Sequence, residues 1–174
     1  MNAAGPGTAS EYSRGPGPSR GGVPVPPGLR AALWLAAIGG PILLIVADFT
    51  TLFEVRGEGY VRNISGHANH SYAMLIIGVL ALVIALLVVP RGISAGLPAL
   101  VALGLAAAIV ALAFDLPDAT GGGVLRTSKG FLDTSLAPRI GFYLETLGAV
   151  LVLIAGVGGL LLAAPAREQR PTRE

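Results

Sequence analysis

The chain has no cysteine. Within it, disulfides, thiolate metal centres and lipidated cysteines are excluded, and redox compartment cannot be read. Charge is the second scarcity. Asp, Glu, Lys and Arg make up 13% of the 174 residues, about half the roughly 25% of a soluble domain. The net charge of +2 is too small and too dispersed to mark a nucleic-acid surface. Lysine is nearly missing: Lys129 stands alone among the arginines, beside 25 glycines. That bias resembles a high-GC bacterial genome. There is no phosphate loop and no dinucleotide fingerprint, so no cofactor is indicated.

What fills the chain is apolar. Hydrophobic residues reach 53% and the mean hydropathy is +0.71, the range of a membrane protein. Four apolar segments, about 29–49, 72–89, 97–116 and 140–164, each approach the roughly 20 helical residues that cross about 30 Å of hydrocarbon. The expected fold class is an all-α membrane protein: a four-transmembrane-helix bundle over residues 29–164 with a small extracytoplasmic β-hairpin cap. The first span is expected to be retained, because Ala31–Ala47 exceeds a signal peptide's apolar core of about 7–15 residues and Ile45 replaces the small residue needed for cleavage.

Residues 1–28 contain seven glycines and six prolines and almost no large apolar side chain, so disorder is expected. Residues 165–174 read as a polar C-terminal tail. With both termini in the cytoplasm, seven basic residues face inward (Arg14, Arg20, Arg30, Arg91, Arg167, Arg170, Arg173) and five outward (Arg56, Arg62, Arg126, Lys129, Arg139). This positive-inside bias gives a multi-pass cell-membrane protein with outer loops 50–71 and 117–139. In the first loop, Leu52–Arg56 alternates, Gly57-Glu58-Gly59 supplies a turn, and Tyr60–Ile64 can return as a second strand. Val124–Thr127 can add a third; irregular loops fit the pattern equally.

The spans carry small-residue stripes that allow close helix approach. In the fourth, Gly141, Gly148, Val152, Ala155, Gly156, Gly159 and Ala163 share one face at 100° per residue, with Leu153 on the other side. In the third, Gly104, Ala108 and Ala111 form a similar stripe. Such faces serve bundle packing or a homo-oligomer. Gly39-Gly40-Pro41 is expected to bend the first span.

One constellation carries chemistry. Glu145 lies on the small-residue face of the fourth span and so points at other helices. Asp115 continues the stripe of the third span, Asp48 ends the first, and His67 and His70 precede the second. Ionisable groups at membrane depth are costly, and are usually paired or functional. His67, His70, Asp48 and Asp115 are candidate metal ligands, because imidazole and carboxylate together suit divalent ions. Glu145 is the candidate buried polar or ligand-binding group, and pairing with Arg139 is its simplest structural use. The middles of the spans hold Ala, Leu, Val, Ile and Gly, which argues against a polar solute path.

The two exposed loops, between spans one and two and between three and four, resemble small four-span bacterial membrane proteins and, in outline, claudin-like proteins. The resemblance covers residues 29–164. The chain lacks the claudin signature, having no cysteine and its only tryptophan, Trp34, inside the first span, so no functional residue is carried over. The functional expectation is an accessory or interaction protein of a bacterial envelope, with the lipid bilayer and a membrane protein as partners. The alternatives are a small transporter or ion- or proton-handling protein using Glu145, and a membrane enzyme using His67 and His70.

Overall fold

The computed structural model describes residues 26–91, 95–117, 121–127 and 130–167. The expectations for the first 25 residues and for 168–174 lie outside that range. The elements run α1 (Pro27–Phe49), β1 (Thr51–Gly57), β2 (Tyr60–Ser65), α2 (Gly66–His70), α3 (Ala73–Val83), α4 (Gly96–Val110), β3 (Gly122–Thr127), β4 (Gly130–Pro138) and α5 (Ile140–Arg167). A π turn extends α3 over Ile84–Val88, and another extends α4 over Ala111–Asp115.

Helix α1 opens on Pro27, whose fixed φ and missing N–H suit a first turn. It continues through Pro41 without interruption and closes where the Thr50 hydroxyl donates to the Ala47 carbonyl at 2.9 Å. Three helical stretches are long and apolar enough to cross a membrane: Pro27–Phe49, Gly96–Asp115 and Ile140–Ala163. The segment expected as the second span forms a shorter apolar helix, Ala73–Leu87. At 1.5 Å per residue it is about 23 Å long, against about 30 Å of hydrocarbon. The Arg91 guanidinium donates to the Leu87 carbonyl and closes its end. The outward faces are apolar, with Leu35 73% and Leu161 70% exposed.

Glycines set the helix crossings. A Cβ on Gly40 would lie 2.9 Å from the Gly148 carbonyl oxygen and the Val152 amide nitrogen, so α1 and α5 touch backbone to backbone. Gly78 brings α3 against the Pro41 carbonyl and Ile45 of α1 in the same way. Gly104 packs on the Leu153 backbone and Gly156 on Val101, joining α4 to α5. Between the helices lie Leu44, Met74, Ala81, Leu100, Ala107, Ala149 and Val152, all buried. The small-residue face of α5 is the buried one, as its phase predicts. Leu153 departs from the expectation. It meets Gly104 because α5 contacts α4 as well as α1, which widens its buried arc beyond one stripe.

The two long connections do not form separate loops. They join in one four-stranded antiparallel sheet of order β2-β1-β4-β3, larger than the expected hairpin or three-stranded cap. Strand β1 pairs with β2 inside its own connection and with β4 of the other, in a register that sets Glu54 opposite Asn63 and Ala137. The ladder irregularity between Thr51 and Phe53 leaves Leu52 free to bury. Leu52 and Phe53 form a second small core with Leu136 and Phe142, which ties the sheet to the first turn of α5. The rings of Phe53 and Phe142 stand 6.0 Å apart.

Candidate functional site

Where the sheet meets the helices, four helices each deliver one titratable side chain: Asp48 from the end of α1, His70 from α2, Asp115 from the π turn after α4, and Glu145 from the second turn of α5. Asp48, Asp115 and Glu145 are all fully buried, and the His70 side chain is 7% exposed.

Local backbone features bring these groups together. Gly66 starts α2 directly against the end of α1; a Cβ there would lie 2.7 Å from the Asp48 Cα. The adjacent His67 then reaches back, its Nδ1 3.2 Å from the Asp48 carbonyl oxygen. Gly141 does the same for α5, where a Cβ would sit 2.7 Å from the Thr51 carbonyl oxygen. Between α2 and α3 the chain reverses through two left-handed non-glycine residues, Ser71 (φ 49°) and Tyr72 (φ 66°). Each such residue costs about 1–2 kcal/mol, and strain of this kind tends to collect at functional sites. It immediately follows His70.

His70 Nε2 lies 2.9 Å from Asp115 Oδ1 and 3.0 Å from Oδ2. The same nitrogen is 3.9 Å from Glu145 Oε1. The Asn69 amide donates to Asp115 Oδ1 at 2.9 Å. One donor atom each from His70, Asp115 and Glu145 lies within 4.8 Å of the others. Neither carboxylate oxygen of Asp48 or of Glu145 receives an N–H or hydroxyl hydrogen bond from the described residues. The Glu145 carboxyl instead meets the Asp115 carboxyl, a contact between two acceptor groups that needs a shared proton or a cation. Glu145 faces the negative charge of Asp115 and Asp48, and Asp48 faces His67 and His70.

Of the five chemically active residues expected from the sequence, His70, Asp115 and Glu145 thus converge, and Asp48 lies near enough to feel their charge. His67 stays at the edge beside Asp48 and does not reach Asp115 or Glu145: its Nε2 is 3.4 Å from Ser65 Oγ, and its ring stacks on Tyr72 at 5.6 Å. The expected Arg139–Glu145 pair does not form. The Arg139 guanidinium bonds Glu54 on β1, which also receives Arg56, because Arg139 sits at the strand end before α5 while Glu145 faces inward a turn later. Asn69, a ligand of Asp115 across 46 residues, is the member that sequence spacing does not reveal. The small residues Gly148, Ala155 and Gly104 are buried in helix contacts; Gly159, Ala163 and Ala108 are half-buried. Gly92-Ile93-Ser94-Ala95-Gly96 spells the Gly-x-Ser-x-Gly of hydrolase elbows, but residues 92–94 lie outside the described range and the described element before them is a helix, not the strand that such an elbow follows.

No protein-family model matches the chain, and comparison with curated proteins finds no match.

Proposed function

We propose that the chain is a four-span membrane protein of a bacterial cell envelope, with both termini in the cytoplasm, that works by binding at its extracytoplasmic end as an accessory or interaction protein. In this reading α3 completes the bundle as a short fourth span, and the sheet caps it. The observation that carries the proposal is the placement of polarity. The buried carboxylates Asp48, Asp115, Glu145 and Glu54 all lie at the sheet end. The helix contacts away from that end are Gly, Ala, Leu, Val, Ile and Pro. A conduit needs polar groups near the midplane; a binding protein needs them where a partner or ligand arrives.

Cross-linking in native membranes, followed by reconstitution of the purified chain in liposomes, tests this. The expected result is a reproducible cross-linked membrane partner and no ion flux from the chain alone. Flux that Glu145→Gln abolishes in a folded protein would replace this reading with the ion- or proton-handling one. That second reading is favoured by one observation, the buried Glu145 and Asp48 carboxyls, which receive no N–H or hydroxyl hydrogen bond among the described residues.

A further inference from the structure

We infer that His70, Asp115 and Glu145, with Asp48 beside them, form a binding site for a divalent cation of the zinc or manganese kind. The inference deepens the binding reading above by naming a ligand class for the sheet end. Three independent features point the same way.

The first is charge. Three carboxylates and one imidazole share a site with almost no access to water. The nearby neutral donor, Asn69, reaches Asp115 at 2.9 Å and His70 Nε2 at 3.4 Å, and neither Glu145 nor Asp48. Buried charges persist when they are paired or when they coordinate a metal, since an unpaired one carries a desolvation cost of several kcal/mol. The second is that both oxygens of Glu145 and both of Asp48 are buried with no N–H or hydroxyl donor among the described residues, and that Glu145 meets another carboxyl, Asp115, instead. Carboxylates left free in this way are acceptors in search of a cation.

The third is spacing. Around a tetrahedral ion with ligand bonds of about 2.0–2.1 Å, donor atoms lie about 3.3 Å apart. His70 Nε2 stands 2.9 Å from Asp115 Oδ1 and 3.9 Å from Glu145 Oε1, on either side of that value. Side-chain shifts of roughly half an ångström bring both of these pairs to that value, the third pair lies within 4.8 Å, and three protein donors leave the fourth position open. The donor set of one imidazole nitrogen and carboxylate oxygens, with no thiolate, suits Zn²⁺ or Mn²⁺ and disfavours Cu⁺. Coordination requires the Nε2 lone pair of neutral His70, and the Asn69 amide then holds Asp115 in place as an outer support. The three donors come from α2, the end of α4 and α5, so binding would also fasten α2 to α4 and α5.

The test uses the full chain in detergent, stripped with a chelator and titrated separately with Zn²⁺ and Mn²⁺ by calorimetry, with bound metal counted after desalting. The expected result is one ion per chain. Affinity should fall at least tenfold in Glu145→Gln and in His70→Asn, and be unchanged in Glu58→Gln, whose side chain lies on the exposed turn between β1 and β2. Circular dichroism establishes that each variant is folded, and His70→Asn decides if Glu145→Gln is not. A folded parent that binds neither ion overturns the inference. So does a folded His70→Asn or Glu145→Gln that binds with the parent's stoichiometry and affinity. Loss of the cation site in this assay leaves the accessory reading to its own cross-linking result.

Discussion

Two adjacent glycines in α1 offer a controlled test of the packing. A Cβ on Gly40 would lie 2.9 Å from the Gly148 carbonyl oxygen, the Val152 amide nitrogen and Val152 Cγ2; a Cβ on Gly39 would meet nothing within 4 Å. Ordinary contact begins at 3.4 Å, so Gly40→Ala must move α1 from α5 by about half an ångström or bend the backbone of either. Overpacking of this kind costs about 1–3 kcal/mol. Replacing glycine by alanine inside a helix returns about 1 kcal/mol at either position. That return cancels in the comparison, so Gly40→Ala should be about 1–3 kcal/mol less stable than Gly39→Ala. Because Gly148 faces the same crossing, the double variant Gly40→Ala/Gly148→Ala should cost less than the sum of its parts, one displacement relieving both. Unfolding in detergent, followed by loss of helical signal, measures the parent, the three single variants and the double variant. Equal stability of Gly39→Ala and Gly40→Ala would refute the backbone-to-backbone crossing.

The other crossings predict a similar split: Gly104→Ala, which meets the Leu153 backbone at 2.8 Å, should cost about 1–3 kcal/mol, while Gly158→Ala, which meets only the tip of Leu33, should cost under about 1 kcal/mol, measured in the same unfolding assay. In chelator, Glu145→Gln should be close to neutral, because the amide N–H can take the place of the proton that Glu145 shares with Asp115; marked destabilisation there would mean that Glu145 has a further structural partner. Arg139→Ala removes the link from the α5 entrance to Glu54 and should cost on the order of 1 kcal/mol, limited by the 43% exposure of Arg139, with faster amide exchange in Leu52–Gly57 as its readout. Unchanged exchange would show that the Phe53–Phe142 contact alone holds the sheet.

The long helices were legible because run length and 3.6-residue phase are local signals. The phase placed Glu145, Gly148, Val152 and Ala155 on the buried side of α5, where they are. The same wheel misplaced Leu153, since one stripe cannot describe a helix that packs on two neighbours. Helix α2 was illegible because Gly66-His67-Ala68-Asn69-His70 has no apolar period. Strand β4 was missed because Gly130–Pro138 alternates poorly, and its pairing with β1 joins residues as distant as Glu54 and Ala137. The site was legible as a depth, five ionisable groups near one end of the spans. Its membership was not. His70 rather than His67 enters the cluster because Gly66 and the Ser71-Tyr72 reversal fix the azimuth of α2, and Arg139 is taken by a glutamate 85 residues away.

The central claim is that the sheet and the acid–histidine site stand on the outer side of a chain that crosses the membrane four times. Because the chain has no native cysteine, single cysteines at Glu58, Gly122 and Arg91 can be labelled in intact cells with an impermeant thiol reagent without background. Glu58 lies at the β1–β2 turn and Gly122 opens β3, and the shared sheet requires both on one side. The account predicts labelling at Glu58 and Gly122 and none at Arg91 until the cells are permeabilised. Labelling at all three positions would mean that α3 does not cross, and labelling at Arg91 alone would invert the protein; either result would contradict the account.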